Sequence, residues 1–221
     1  MNEVPRLPDE STGLQVLVAP WDSERALLPA PPRLLVREGR IALRGETRGD
    51  RDERGVLWLP YAPRVDGDTR QRYAEVHGRR QRLLMARLRC QVCGRPSLHV
   101  PGRGTAYLLP YAPPETLLPV REAGEWRYAL EANPPVCAEH LRTGPLWCDG
   151  LRRVRGWTVA WVLRAPVSGV QGYVYDLDDL ERPPVLDYVP RGDPRTGAVV
   201  AVQLVRSLER VSVGESRPPG S

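Results

Sequence analysis

The chain contains no lysine and no phenylalanine; all 32 of its basic residues are arginine. Isoleucine occurs once, at Ile41, and asparagine twice, at Asn2 and Asn133. These scarce residues share A/T-rich codons, which points to a GC-rich genome in which Arg stands in for Lys. The net charge of +5 and the pI near 9.3 are therefore weak support, on their own, for nucleic-acid binding. No run of about 18 apolar residues exists, which argues against a membrane-spanning helix. The opening stretch MNEVPRLPDESTG has acids and prolines where a secretory signal has a basic stretch and an apolar core. A soluble cytoplasmic protein is expected. Common catalytic patterns are missing too: no GxSxG, P-loop, HExxH or Rossmann glycine pattern occurs.

Proline and glycine are plentiful. The 24 Pro and 20 Gly make up about a fifth of the chain against an average of about 12%, which implies many turns and short elements. Hydrophobic residues at 41% are enough for a folded core. Strands are expected at Leu14 to Pro20, at Val56 onward, at Glu125 to Leu130, at Gly156 to Leu163 and in GYVYDL. A hairpin is expected where Leu34 to Val36 and Ile41 to Leu43 flank Glu38-Gly39-Arg40. Arg79 to Arg89 reads as a short basic amphipathic helix opened by His77, and VCAEHLRTG as another. Val199, Val202, Val205 and Leu208 recur at helical spacing and predict a final helix. LPYAP occurs at Leu59 to Pro63 and again at Leu109 to Pro113, which reads as coincidence or a shared way for strands to end rather than as a duplication. Asp178-Asp179 reads as a solvated loop.

Charge is unevenly spread. From Thr69 to Pro114 nine arginines face the single acid Glu75, so this segment carries +8 and the rest of the chain −3. Concentrated charge is what an anionic partner feels. Arg79, Arg80, Arg82, Arg87, Arg89 and Arg95 are the candidate face for such a partner, DNA or RNA being the obvious ones; a solvated helix surface is the plainer alternative.

The four cysteines are better read as metal ligands than as a disulfide framework in a cytoplasmic chain. Cys90 and Cys93 form a CxxC; after 43 intervening residues Cys137 and His140 form a CxxH, and Cys148 stands eight positions beyond His140. Thiolate and imidazole suit tetrahedral zinc. Gly94 permits the positive φ that turns backbone N–H groups toward thiolate sulfur. Pro134-Pro135 holds the chain extended up to Cys137, and an i, i+3 pair in a first helical turn shares one side. Cys148 competes with His140 as fourth ligand. Buried free thiols and a redox CxxC are the alternatives, the second disfavoured by the lack of a thioredoxin-like pattern. Four protein ligands make a structural site, since catalytic zinc keeps a position open.

The blocks YAEVHGRRQRLLMARLRCQVCGRP, PPVCAEH and CDGLRR, and more loosely VAVQLVRSLERV, resemble an uncharacterised family of actinobacterial CxxC zinc-binding proteins over about residues 55 to 213. The resemblance implies a fold and a zinc site but no activity. Members often carry Cys where His140 stands and Cys-Pro where this chain has Cys148-Asp149, so the fourth ligand stays open. Knuckle, hairpin and ligand-bearing helix also resemble the treble clef of HNH nucleases, in which His99 would be the base and Asn133 a partner. His99 lacks the neighbouring metal ligand of that family, which favours a non-enzymatic scaffold.

The expectation is an α+β fold of mainly short antiparallel strands with a treble-clef-like zinc knuckle and a C-terminal helix. Its parts are a β-rich region at 1–68, a zinc-knuckle region at 69–150, a C-terminal strand and helix region at 151–213 packed with the rest, and a disordered tail at 214–221. Function is expected to be binding or adaptor work with an anionic or protein partner, an HNH-type nuclease being the rival.

Overall fold

The structure is a computed structural model that describes residues 15–110, 120–122, 125–143 and 156–217. Strands hold 38% of the residues and helices 14%, so the fold is largely β. The strands are β1 (Leu34–Arg37), β2 (Arg40–Leu43), β3 (Leu57–Trp58), β4 (His99–Val100), β5 (Gly104–Pro110), β6 (Val120–Glu122), β7 (Glu125–Glu131), β8 (Trp157–Arg164), β9 (Val167–Val174), β10 (Val185–Pro190) and β11 (Val199–Arg217). Two α-helices occur among the described residues, α1 (Gly78–Ala86) and α2 (Ala138–Thr143). Neither is long and apolar enough to cross a membrane.

The expected C-terminal helix is instead β11, a 19-residue strand. Its helical spacing is a by-product of abundance: Val199, Val200, Ala201, Leu204, Val205, Leu208 and Val211 are all buried, and in the first half of the strand both faces are covered, Val199, Ala201 and Leu204 packing with Met85 of α1 and Val200 with Leu34, Ile41 and Leu43 of the β1–β2 hairpin. A strand covered on both faces loses the alternation that marks a half-buried one, and its β-branched residues favour extended backbone. β11 pairs antiparallel with β9 through residues 199–206 and with β8 through residues 209–217. Along its length it also takes β3, in parallel, and β7. Register shifts interrupt these ladders, and such bulges let a long strand bend. Residues 214 to 217, assigned above to a disordered tail, continue β11.

The sheet has nine strands, with the path β10-β9-β11-β8-β5-β4 and β3 and β7 joined to β11. The knuckle's hairpin, β4 and β5, is thus the rim of this sheet rather than part of a free-standing treble clef, and the treble-clef expectation is overturned with the C-terminal helix. The other sheet is the β1–β2 hairpin, paired Arg37 with Arg40. Its two turn residues, Glu38 and Gly39, have φ of 53° and 68°, as a type I′ turn requires. Leu14 to Pro20 is not a strand over the described residues 15–20. Leu17 and Val18 donate to the carbonyls of Val92 and Gln91, so this stretch follows the knuckle instead of a ladder.

Helix α1 lies on β11. Gln81, fully buried, donates to the carbonyls of Ala132 and Leu204 and accepts from the Leu204 N–H at 2.9 Å, tying the helix to β11 and to the segment before α2. The approach is closest at Gly78, where an added Cβ would stand 2.4 Å from the Val202 carbonyl oxygen. Gly78→Ala is therefore expected to lower stability by about 1–3 kcal/mol, the usual range for overpacking. A shift of the urea midpoint with an unchanged slope would register this, and an unshifted midpoint would mean that the helix slides freely.

Candidate metal centre

The site begins where α1 ends. Leu88, at φ 49°, turns the chain out of the helix, and the N–H of Cys90 bonds to the Arg95 carbonyl at 2.9 Å, with Gly94 N–H returning to the Cys90 carbonyl at 2.8 Å. Gly94 has φ of 71°, and a Cβ there would stand 2.7 Å from Leu17 Cδ2. The positive φ is what calls for glycine; the Leu17 methyl is the end of a flexible, exposed side chain and can move aside. In this tight turn the N–H groups of Val92 and Cys93, with that of Cys137, point at the Cys90 sulfur.

The second pair comes from the sheet rim. Pro134 and Pro135 keep the chain extended, Val136 bonds to β5 through the Ala106 carbonyl, and Leu98 bonds to the Val136 carbonyl at 2.8 Å. Cys137 is thereby held beside the knuckle. Helix α2 follows, with His140 one turn on.

The four ligand atoms lie within 4.8 Å of one another. Cys90 Sγ is 3.6 Å from His140 Nδ1, Cys93 Sγ is 3.8 Å from Cys137 Sγ, and Cys137 Sγ is 3.2 Å from His140 Nδ1. A tetrahedral ion with bonds of about 2.3 Å to sulfur and about 2.0 Å to nitrogen has S···S edges near 3.8 Å and S···N edges of about 3.5 Å. Two of the three separations match these edges closely and the third is tighter. Among the described residues this is the single group of three or more His, Cys, Asp or Glu side chains close enough to share a metal.

The electrostatics suit a cation. Burial pushes the Cys90 thiol up to about 12, against the N–H groups aimed at its sulfur. Burial also opposes ionisation of Cys137, but the His140 N–H, the neighbouring thiols and the Glu139 N–H outweigh it and hold this thiol below its ordinary value. Burial lowers His140 as well, which keeps the imidazole neutral, the form that binds metal. Cys90 and Cys137 sit inside a hydrophobic cluster with Val16, Leu84, Val92, Val136 and Trp161, so water has little access to stabilise the thiolates in place of a metal.

Cys148, the rival fourth ligand, lies outside the described residues. His99 and Asn133, the nuclease candidates, are placed with other partners. His99 Nδ1 is 3.2 Å from Thr105 Oγ1 across the β4–β5 pair, and Asn133 Nδ2 donates to Glu131 Oε1 at 2.8 Å.

The six arginines divide. Arg80 is ion-paired with Glu24 and donates to the carbonyls of Leu17 and Ala19. Arg82 stacks over Trp58 at 4.8 Å. Arg89 braces the knuckle through the Gly94 carbonyl. Arg79 and Arg87 are exposed, and Arg95 is exposed in an ion pair of 3.1 Å with Glu139. Much of the clustered charge therefore serves the fold.

One further buried arginine escaped the sequence reading. Arg206 of β11 donates to the carbonyls of Met85 and Ala86 at the end of α1 and to that of Ala165. Sequence offered no signal for it, because its partners are main-chain atoms about 120 and 41 residues away. Comparison with protein-family models, with curated proteins and with solved structures finds no match for this chain.

Proposed function

We propose that this chain is a zinc-anchored binding protein. A structural Zn²⁺ held by Cys90, Cys93, Cys137 and His140 braces the sheet rim, and the basic segment beside it meets an anionic partner such as nucleic acid. The single observation that carries the reading is the Cys₃His cluster, whose spacing and chemistry fit zinc and whose four ligands leave no position for a reacting water. Its unpaired thiols suit a reducing, cytoplasmic setting. For the partner, the support is the exposure of Arg79 and Arg87 on and just after α1 and of Arg95 in the knuckle. The nuclease alternative gains nothing from the placement of His99 and Asn133.

The test is fluorescence anisotropy with labelled double-stranded DNA and single-stranded RNA. Three phosphate contacts predict affinity about 40-fold weaker at about 200 mM salt than at about 50 mM. Absence of binding to either polymer at the lower salt would remove the nucleic-acid partner and leave a protein-binding adaptor.

A further inference from the structure

A cavity of about 270 Å³ that none of the four metal ligands lines lies between the start of α1 and the chain leaving β3. Its wall includes Trp58, Tyr61, His77, Arg79 and Arg82. Three of these residues carry a buried polar atom with no hydrogen-bond partner: Trp58 Nε1, His77 Nδ1 and Arg82 Nη1. Trp58 is 4% exposed and His77 7%. Buried polar atoms are nearly always paired, so three orphans in side chains that line one cavity ask for an occupant toward which those side chains turn to gain the missing partners.

The charge on that wall selects the occupant. Two acids also line the cavity, Glu24 and Asp50; Glu24 is ion-paired with Arg80, whereas Asp50 bonds only the neutral Thr47, so two guanidinium groups face one carboxylate without a cationic partner. Glu24 accepts from Arg80 and from the Trp21 N–H, and Asp50 accepts from the N–H and hydroxyl of Thr47. Arg79 and Arg82 have no acidic ion-pair partner among the described residues. Arg82 is half-buried above the Trp58 ring, where it cannot shed its charge to water. The His77 ring, also on the wall, stacks on Tyr61 at 3.9 Å. Two guanidinium groups and an indole N–H are donors, and donors without acceptors recognise oxyanions. The volume falls just below the range of drug-sized pockets, which favours a small ligand.

From these observations we infer that the cavity is a binding site for the phosphate or carboxylate group of a small anion, held by Arg79, Arg82 and the indole N–H of Trp58. It extends the basic-segment reading from a surface to a pocket, and rests on that reading only for the sign of the charge. The metal takes no part in it.

Isothermal titration of the full metal-loaded protein at low ionic strength, with inorganic phosphate and with acetate as separate probes, tests the inference and tells the two oxyanion classes apart. Wild type is expected to bind at least one of them at one per chain. Arg79→Gln, at an exposed position, and Trp58→Phe, which keeps the ring and removes only the N–H, are each expected to weaken that binding tenfold or more. No binding of either anion by wild type overturns the inference. So does wild-type affinity in either variant. Trp58→Phe leaves every arginine in place, so its nucleic-acid anisotropy should be unchanged. Loss of polymer binding in wild type would strike the earlier proposal alone.

Discussion

Cys90→Ser is expected to yield protein with no bound metal and with the knuckle, the Pro134 to Thr143 segment and the rim of the sheet unfolded. Cys90 is fully buried in the cluster that also holds Val92, Val136 and Trp161. Losing it removes a ligand and a hydrophobic contact together. A structural zinc contributes on the order of 10–16 kcal/mol in small peptides, which is comparable with the roughly 5–15 kcal/mol stability of a whole domain. The loss is therefore expected to be of the same order as everything else holding this region. Elemental analysis against protein concentration reads the metal, with one zinc per chain expected for wild type. Thermal denaturation with and without a chelator reads the stability. The two candidates for fourth ligand separate in the same assay: His140→Ala is expected to lose the metal, as Cys90→Ser does, and Cys148→Ser to keep it. Full metal content and an unchanged melt in Cys90→Ser would end the metal-centre reading.

The second large effect is expected at Arg206. Substituting methionine keeps the apolar stem but removes the donors to the carbonyls of Met85, Ala86 and Ala165. Helix α1 ends at Ala86; the Met85 carbonyl also accepts from the Leu88 N–H at 3.3 Å, so the carbonyls that depend on the guanidinium are those of Ala86, a last-turn acceptor, and Ala165. Hydrogen bonds to charged groups contribute more than neutral ones, and stranding buried acceptors costs about 1–3 kcal/mol each. Arg206→Met is expected to lose about 3 kcal/mol, a fall in Tm of roughly 6–12 °C for a chain of this size. Arg206→Lys should recover only part of this, because an ammonium cannot span three acceptors as a planar guanidinium does. A melt of Arg206→Met equal to wild type would show that the carbonyls find other donors.

Arg206 also shows why charge counting along the chain misleads here. Arg80, Arg82 and Arg89 stand out in sequence as part of a +8 segment, yet in the fold they serve Glu24, the Trp58 ring and the Gly94 carbonyl. A guanidinium is weakly hydrated and can lie on an aromatic face or fork between carbonyls. A chain without lysine can thus use arginine inside as well as outside.

Local chemistry was determined by the sequence alone. The CxxC followed by Gly94, the prolines before Cys137, the His140 spacing, helix α1 and the Glu38-Gly39 hairpin all depend on neighbours within a few residues, and all were legible. The same holds for β7 and β8, whose aromatic and β-branched runs need no distant partner to be recognised. What tertiary structure decided was which segments are buried on both sides and which polar atoms meet. β11 looked helical because its first half is covered on both faces, by α1 and by the β1–β2 hairpin, and a nearly unbroken apolar run such as residues 199 to 205 contains any period one looks for. The Gln81 and Arg206 clasps arise only once α1 is laid across β11, since each joins groups that the chain itself keeps about 120 residues apart.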